Sequence, residues 1–179
     1  MVGFGELRWL SYAEAAALAS ALAGAIWDIR TRRVPNALTF GTAIAALVVH
    51  LLSGGWQGLG WVATGWAVGL AMFLPLFLLG GLGAGDVKLL AALGAWLGPA
   101  GALWIGVYGA IAGGVLAVVV AAWRGYFRTA IRNLWGLLCY WKVMGVRPLP
   151  QLTLESGAGP RLPYAVAIFA GAALSIWLR

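Results

Sequence analysis

An all-α, polytopic membrane fold is predicted for this chain of 179 residues by three observations. Hydrophobic residues make up 63% of it, charged residues only 9%, and the mean hydropathy is +0.91, well outside the range of soluble globular domains. Six apolar stretches, at about 11–28, 36–53, 58–80, 86–99, 101–123 and 162–178, match or approach the roughly 17–25 helical residues needed to cross a hydrocarbon core of about 30 Å. Third, the basic residues between these stretches fall in alternate connections, the pattern that positively charged cytoplasmic loops produce.

The first stretch contains "AAALASALAGA", whose small residues resemble a signal-peptide cleavage site. Glu6 and Arg8 nearly cancel, however, and the apolar run continues to Asp28, so a retained first span is expected rather than a cleaved signal. Arg30, Arg32 and Arg33 separate it from the second stretch, and an uncharged "SGGWQ" leads to the third. The fourth is short and directly follows a glycine-rich run. Its helix is expected to begin below the membrane surface or to be only partly exposed to lipid. Lys88 lies at its start, the turn "GPAG" after it is neutral, and the fifth stretch contains "GAIAGG", small residues that permit close backbone approach.

The long connection from 124 to 161 carries Arg124, Arg128, Arg132, Lys142, Arg147 and Arg161. Arg124, Arg128 and Arg132 recur every four residues beside an offset stripe of Phe127, Ile131, Trp135 and Leu138. This predicts an amphipathic interfacial helix, with its basic side on anionic membrane lipid and its apolar side in the acyl boundary. The following "GVRPLPQLTLESGAGPRLP" reads as an irregular return loop. Alternation of charge places both termini outside the cytoplasm and both aspartates at cytoplasmic span ends. One membrane-embedded domain, 1–179, is expected.

The formal net charge of +7 is thus a mark of topology and not of nucleic-acid binding. Cys139, the single cysteine, has neither a disulfide partner nor zinc-site spacing and reads as a packing residue. His50 reads as an interfacial residue near the opposite membrane face.

Asp28 and Asp86 are the only aspartates. Ionisable groups at membrane spans are costly and usually face a protein interior or a water-filled cavity. Each alone is explained by a helix cap or a neighbouring arginine, but glycines at 80, 81, 83 and 85 strip side chains from the backbone ahead of Asp86 and suggest a cleft. An ion, a lipid or an extended peptide could enter it. Two carboxylates at one site support hydrolysis without metal or cofactor: one accepts a proton from water while the other, protonated, polarises the scissile carbonyl. Asp86 opens a helix and Asp28 closes one, so the helix dipoles favour Asp86 as base and Asp28 as proton carrier. A proton- or cation-coupled carrier using both aspartates is the alternative; a carrier site belongs near the midplane.

"GAGD" at 83–86, followed by "VKLLAALGAWLG", resembles the G-x-G-D motif of the type IV prepilin peptidases. "DIRTRRVPNALT" at 28–39 is similar to their first aspartate motif, and "LPYAVAIFAG" at 162–171 to the last span of short members. G-x-G-D also occurs in presenilin-type proteases; two aspartate motifs in order, 86 − 28 = 58 residues apart, make the match specific. The resemblance covers nearly the whole chain. It implies an aspartic endopeptidase of the inner membrane that cuts the basic leader from prepilin-like precursors on the cytoplasmic side, usually after a glycine. Asp28 and Asp86 carry over as the catalytic pair, and Gly83, Gly85, Lys88, Pro35 and Asn36 as motif-support or substrate-binding residues. Lys88, two residues from Asp86, does not share its helical face and is expected to snorkel to the interface. Longer bacterial members carry an N-terminal region with paired cysteines and methylate the new N-terminus. Without that region, this chain resembles compact peptidase-only members associated with tight-adherence pili or archaeal preflagellins.

Overall fold

A computed structural model describes residues 4–148 and 162–178, with side chains from Tyr12 onward. Within these residues all regular structure is helical: α1 (Phe4–Thr31), α2 (Asn36–Leu78), α3 (Ala84–Trp123), α4 (Phe127–Met144) and α5 (Tyr164–Trp177). Most of the expected irregular return loop, Arg161 included, lies outside the described residues, as do the side chains of Glu6 and Arg8.

The six apolar stretches fall into four of these helices, because α2 holds the second and third and α3 the fourth and fifth. By length and composition α2 and α3 could each cross a membrane, whereas α5 is a shorter apolar helix. Each long helix is broken once, at Gly55 (φ 54°) and at Gly98 (φ 72°), left-handed positions that a glycine occupies without a Cβ penalty. The breaks are sharp reversals. A Cβ on Gly58 would collide with the His50 carbonyl, and one on Gly94 would lie 2.9 Å from the Ala102 Cβ, yet eight residues of straight helix span about 12 Å. Pro99 follows the second break and cannot continue the hydrogen-bond ladder.

The second arm of α2 runs antiparallel against the first arm of α3 at backbone distance. Gly98 receives the Trp61 ring, Gly65 meets the Gly94 carbonyl, and a Cβ at Gly69 would lie 2.7 Å from the Leu90 carbonyl. Gly65 and Gly69 form a small-xxx-small step, which lets helices pack without intervening side chains. The glycine-rich part of the fifth stretch behaves as the sequence suggests: Gly109 packs on Ala167 and Ile168, and Gly113 against Tyr164. The first arm of α3 becomes the centre of the molecule, with every residue from Asp86 to Gly98 buried except Lys88. The short fourth stretch is therefore shielded by protein rather than lipid.

The amphipathic helix is present as α4, and none of its residues is buried. Cys139 on it is exposed, which corrects its reading as a packing residue: among the described residues, α4 touches little besides the end of α3 and offers a thiol nothing to pack into.

Candidate functional site

The two reversals lie at one end of the bundle, where His50 Nε2 meets the Trp96 carbonyl at 3.1 Å. Asp86 is ten residues from Trp96, about 15 Å along the helix, so His50 has no part in the aspartate site. At the other end three connections converge: the α1–α2 link, the glycine run before α3, and the entry to α5.

Asp28 lies one turn before the end of α1, and Asp86 in the first turn of α3. Both are buried, with 7% and 9% of their surface accessible, and they are close enough for the charge of one to act on the other. Asp86 Oδ2 accepts a hydrogen bond from the Gly83 N–H at 3.3 Å, half of a capping box. Asp28 Oδ2 accepts one from the Ala165 N–H at 3.2 Å, across 137 residues of sequence. That second bond changes the electrostatics expected of the pair. Asp28 closes α1 but also faces the N-terminal end of α5, where a helix favours a carboxylate. Each aspartate thus rests on a helix N-terminus, and the asymmetry expected from chain direction is offset. Arg32, held at φ 55° with its N–H bonded to the Asp28 carbonyl at 2.8 Å, is also near enough to act on the Asp28 charge.

A pocket of about 330 Å³ opens beside Asp86, lined by Gly81, Leu82, Gly83, Gly113, Gly114, Ala117, Leu162 and Tyr164. Its volume falls in the usual range for ligand clefts. The Tyr164 ring forms one wall, edge-on to Phe73 with centroids 5.7 Å apart, and a Cβ on Gly113 would lie 2.5 Å from that ring. The glycines before Asp86 thus border a cleft, but the opposite wall comes from Gly113, Gly114 and Tyr164.

The remaining motif residues gather around the aspartates. Gly85 lies under Val34, whose Cβ would be 3.0 Å from any Cβ added there. Pro35 caps α2 in an extended conformation. Lys88 donates from Nζ to Asn36 Oδ1 at 3.0 Å, with the ammonium 5.4 Å from the Phe40 ring centroid. Two positions from Asp86, Lys88 lines no part of the cleft and is turned onto α2, in a solvent-exposed bond. Ala165 and Tyr164 lie in the motif segment 162–171 but were given no site role, because one acts through its backbone and the other lines the cleft with Asp86 only after folding; the signal was Pro163, at the point where a new apolar run begins.

No solved structure matches the chain. Among curated proteins it is similar to the prepilin leader peptidase/N-methyltransferases of Burkholderia pseudomallei strains 1026b and K96243, each 37% identical over 118 residues. That alignment takes in 62% of this chain and 37% of each relative, so the chain matches little more than a third of their length. The model of the type IV leader peptidase family matches residues 15–118, more than half of the chain and the whole path from α1 through both aspartates into the second arm of α3. The chain belongs to the type IV leader peptidase family.

Proposed function

We propose that the chain is a membrane aspartic endopeptidase that removes the basic leader of type IV prepilin-like or preflagellin-like precursors, with Asp28 and Asp86 activating the attacking water. The observation that carries this reading is a buried Asp86 on the wall of a glycine-lined cleft, with a second buried aspartate, Asp28, bonded to the Ala165 N–H directly after the cleft residue Tyr164. Glycine walls suit an extended peptide, whose own N–H and C=O groups can pair with the exposed backbone.

Two carboxylates at close range share one proton, because like charges disfavour double ionisation. The ionised member takes a proton from water, whose oxygen adds to the scissile carbonyl carbon. The protonated member donates to the carbonyl oxygen. Collapse of the tetrahedral intermediate breaks the C–N bond: the leaving amine takes a proton from the acid formed in the first step, and one hydroxyl of the intermediate returns its proton to the other carboxylate, which restores the starting pair. The Gly83 and Ala165 N–H groups hold one oxygen of each carboxylate in place, and the proposed chemistry uses the second to meet water or substrate. With both aspartates on helix N-termini, either can serve as base, and the pair titrates as a unit.

The placement in the membrane follows from the same features. The reversals at Gly55 and Gly98 support six crossings in four helices, with the basic connections and the aspartates on the cytoplasmic side, both termini on the other, and anionic lipid against α4. A site at this end, rather than at mid-bundle, suits a peptidase better than an ion carrier.

The test is cleavage of a co-expressed candidate prepilin by the wild type and by Asp28→Asn and Asp86→Asn, with membrane levels measured for each. Either substitution is expected to abolish the shorter product. A variant that still cuts would remove its aspartate from the reaction.

A further inference from the structure

The peptidase reading requires the two aspartates to hold a fixed separation, although they sit on different helices, α1 and α3, with the whole of α2 between them in the chain. The four-residue link from α1 to α2 begins at Arg32, in the left-handed region, and its far end is restrained against α3. The restraint is visible on both sides of Asp86. On one side Gly85 admits Val34 to direct contact. On the other, Lys88 reaches α2, donating to Asn36 Oδ1 at 3.0 Å with Phe40, one turn on, beneath its ammonium. Two residues bracketing Asp86 thus grip the segment that begins six residues after Asp28.

We infer that Lys88 and Asn36 form a positioning tie, which docks the start of α2 onto the first turn of α3 and so fixes the separation of Asp28 and Asp86. The inference rests on the peptidase reading. Lys88 lines no part of the cleft, so it orders the pair without touching substrate. Its bond to Asn36 is solvent-exposed, and exposed polar contacts add little to stability; its effect belongs in the rate. Misplacement by 1 Å can cost on the order of 10²-fold in catalysis. Phe40 adds a second contact of modest strength, by cation–π attraction to the ammonium.

The experiment measures kcat and KM for precursor cleavage by full-length protein. Lys88→Met and Asn36→Ala are each expected to lower kcat roughly tenfold, with KM within about twofold, since geometry and not substrate affinity is lost. The double variant should be no worse than the poorer single, as for two halves of one contact. Asn36→Asp, which keeps an acceptor for the ammonium, should retain most of the rate.

A chemical rescue removes differences in folding from the comparison. Lys88→Cys in a Cys139→Ser background leaves a single thiol. Its modification with 2-aminoethyl methanethiosulfonate rebuilds a side chain ending in an ammonium and should raise kcat at least several-fold, whereas methyl methanethiosulfonate should not. Wild-type kcat in Lys88→Met, effects that multiply in the double variant, or equal rescue by the neutral reagent would each overturn the tie while leaving the peptidase reading intact. A wild type that cuts no precursor, while a known prepilin peptidase cuts the same one, would overturn both.

Discussion

The first arm of α3 and the helix α4 are segments of similar length with opposite surroundings. From Asp86 to Gly98 only Lys88 escapes burial, and glycines let α2 lie directly on the backbone. In α4 nothing is buried, and Ile131, Leu134 and Trp135 present their apolar surface outward. On the proposed function, immobility belongs where two carboxylates must stay in register, and bare amphipathic surface where lipid would supply the other half of the contact. Substitutions in the two segments should therefore fail in different ways, the first by loss of the fold and the second by loss of a lipid response.

The largest effect is expected at Gly65 and Gly94, where any Cβ meets backbone of the facing arm. Backbone has no rotamer with which to yield, so leucine at either position should exceed the ~1–3 kcal/mol of ordinary overpacking and leave no folded protein in the membrane, read as lost accumulation and protease resistance. Leu89 is fully buried and lies under Gly24 of α1. Leu89→Ala should cost about 2–5 kcal/mol, lowering the midpoint of thermal unfolding in detergent. Normal accumulation of Gly94→Leu would show that the arms can separate and would dissolve the contrast with α4.

A smaller effect, confined to activity, is expected at the cleft. Gly114 lines it, yet a Cβ there has nothing within 4 Å. Gly114→Leu should fold and accumulate normally while filling space that substrate needs, lowering precursor cleavage by roughly tenfold or more. Unchanged cleavage would place the peptide elsewhere around Asp86.

What the sequence made legible divides along physical lines. The helical class, the amphipathic character of 127–144 and the close approach at Gly109 and Gly113 all rest on local composition or periodicity, which survive folding unchanged. The positions of the reversals were also near at hand, since "SGGWQ" and "GPAG" mark them. The wall of the cleft was not legible, because Tyr164 and Gly113 join Asp86 around it only through tertiary packing. Nor was the Ala165 bond, since a backbone N–H is present at nearly every position and its identity carries no signal. The partner of Lys88 was not legible for a related reason: helical spacing says which residues share its face but not which neighbouring helix that face meets.

The smallest effect is expected on α4, and it tests the other half of the comparison. Arg128 and Arg132 lie one turn apart beside Phe127 and Ile131. Each basic residue near an anionic surface contributes about 1 kcal/mol, and the attraction is screened within a Debye length. Replacing both with glutamine removes about 2 kcal/mol from α4's hold on lipid without touching the buried arms, so the folded population should not change and cleavage in vesicles should fall by no more than about threefold. Cys139, exposed and seven residues from Arg132, lies two turns along the same side and is the only thiol available for a polarity-sensitive fluorophore. Its emission should shift to the blue in anionic vesicles relative to neutral ones, and the shift should shrink in Arg128→Gln/Arg132→Gln and at high salt. A shift indifferent to lipid charge, salt and both arginines would mean that apolar insertion alone seats α4, and that the arginines mark topology without holding the surface.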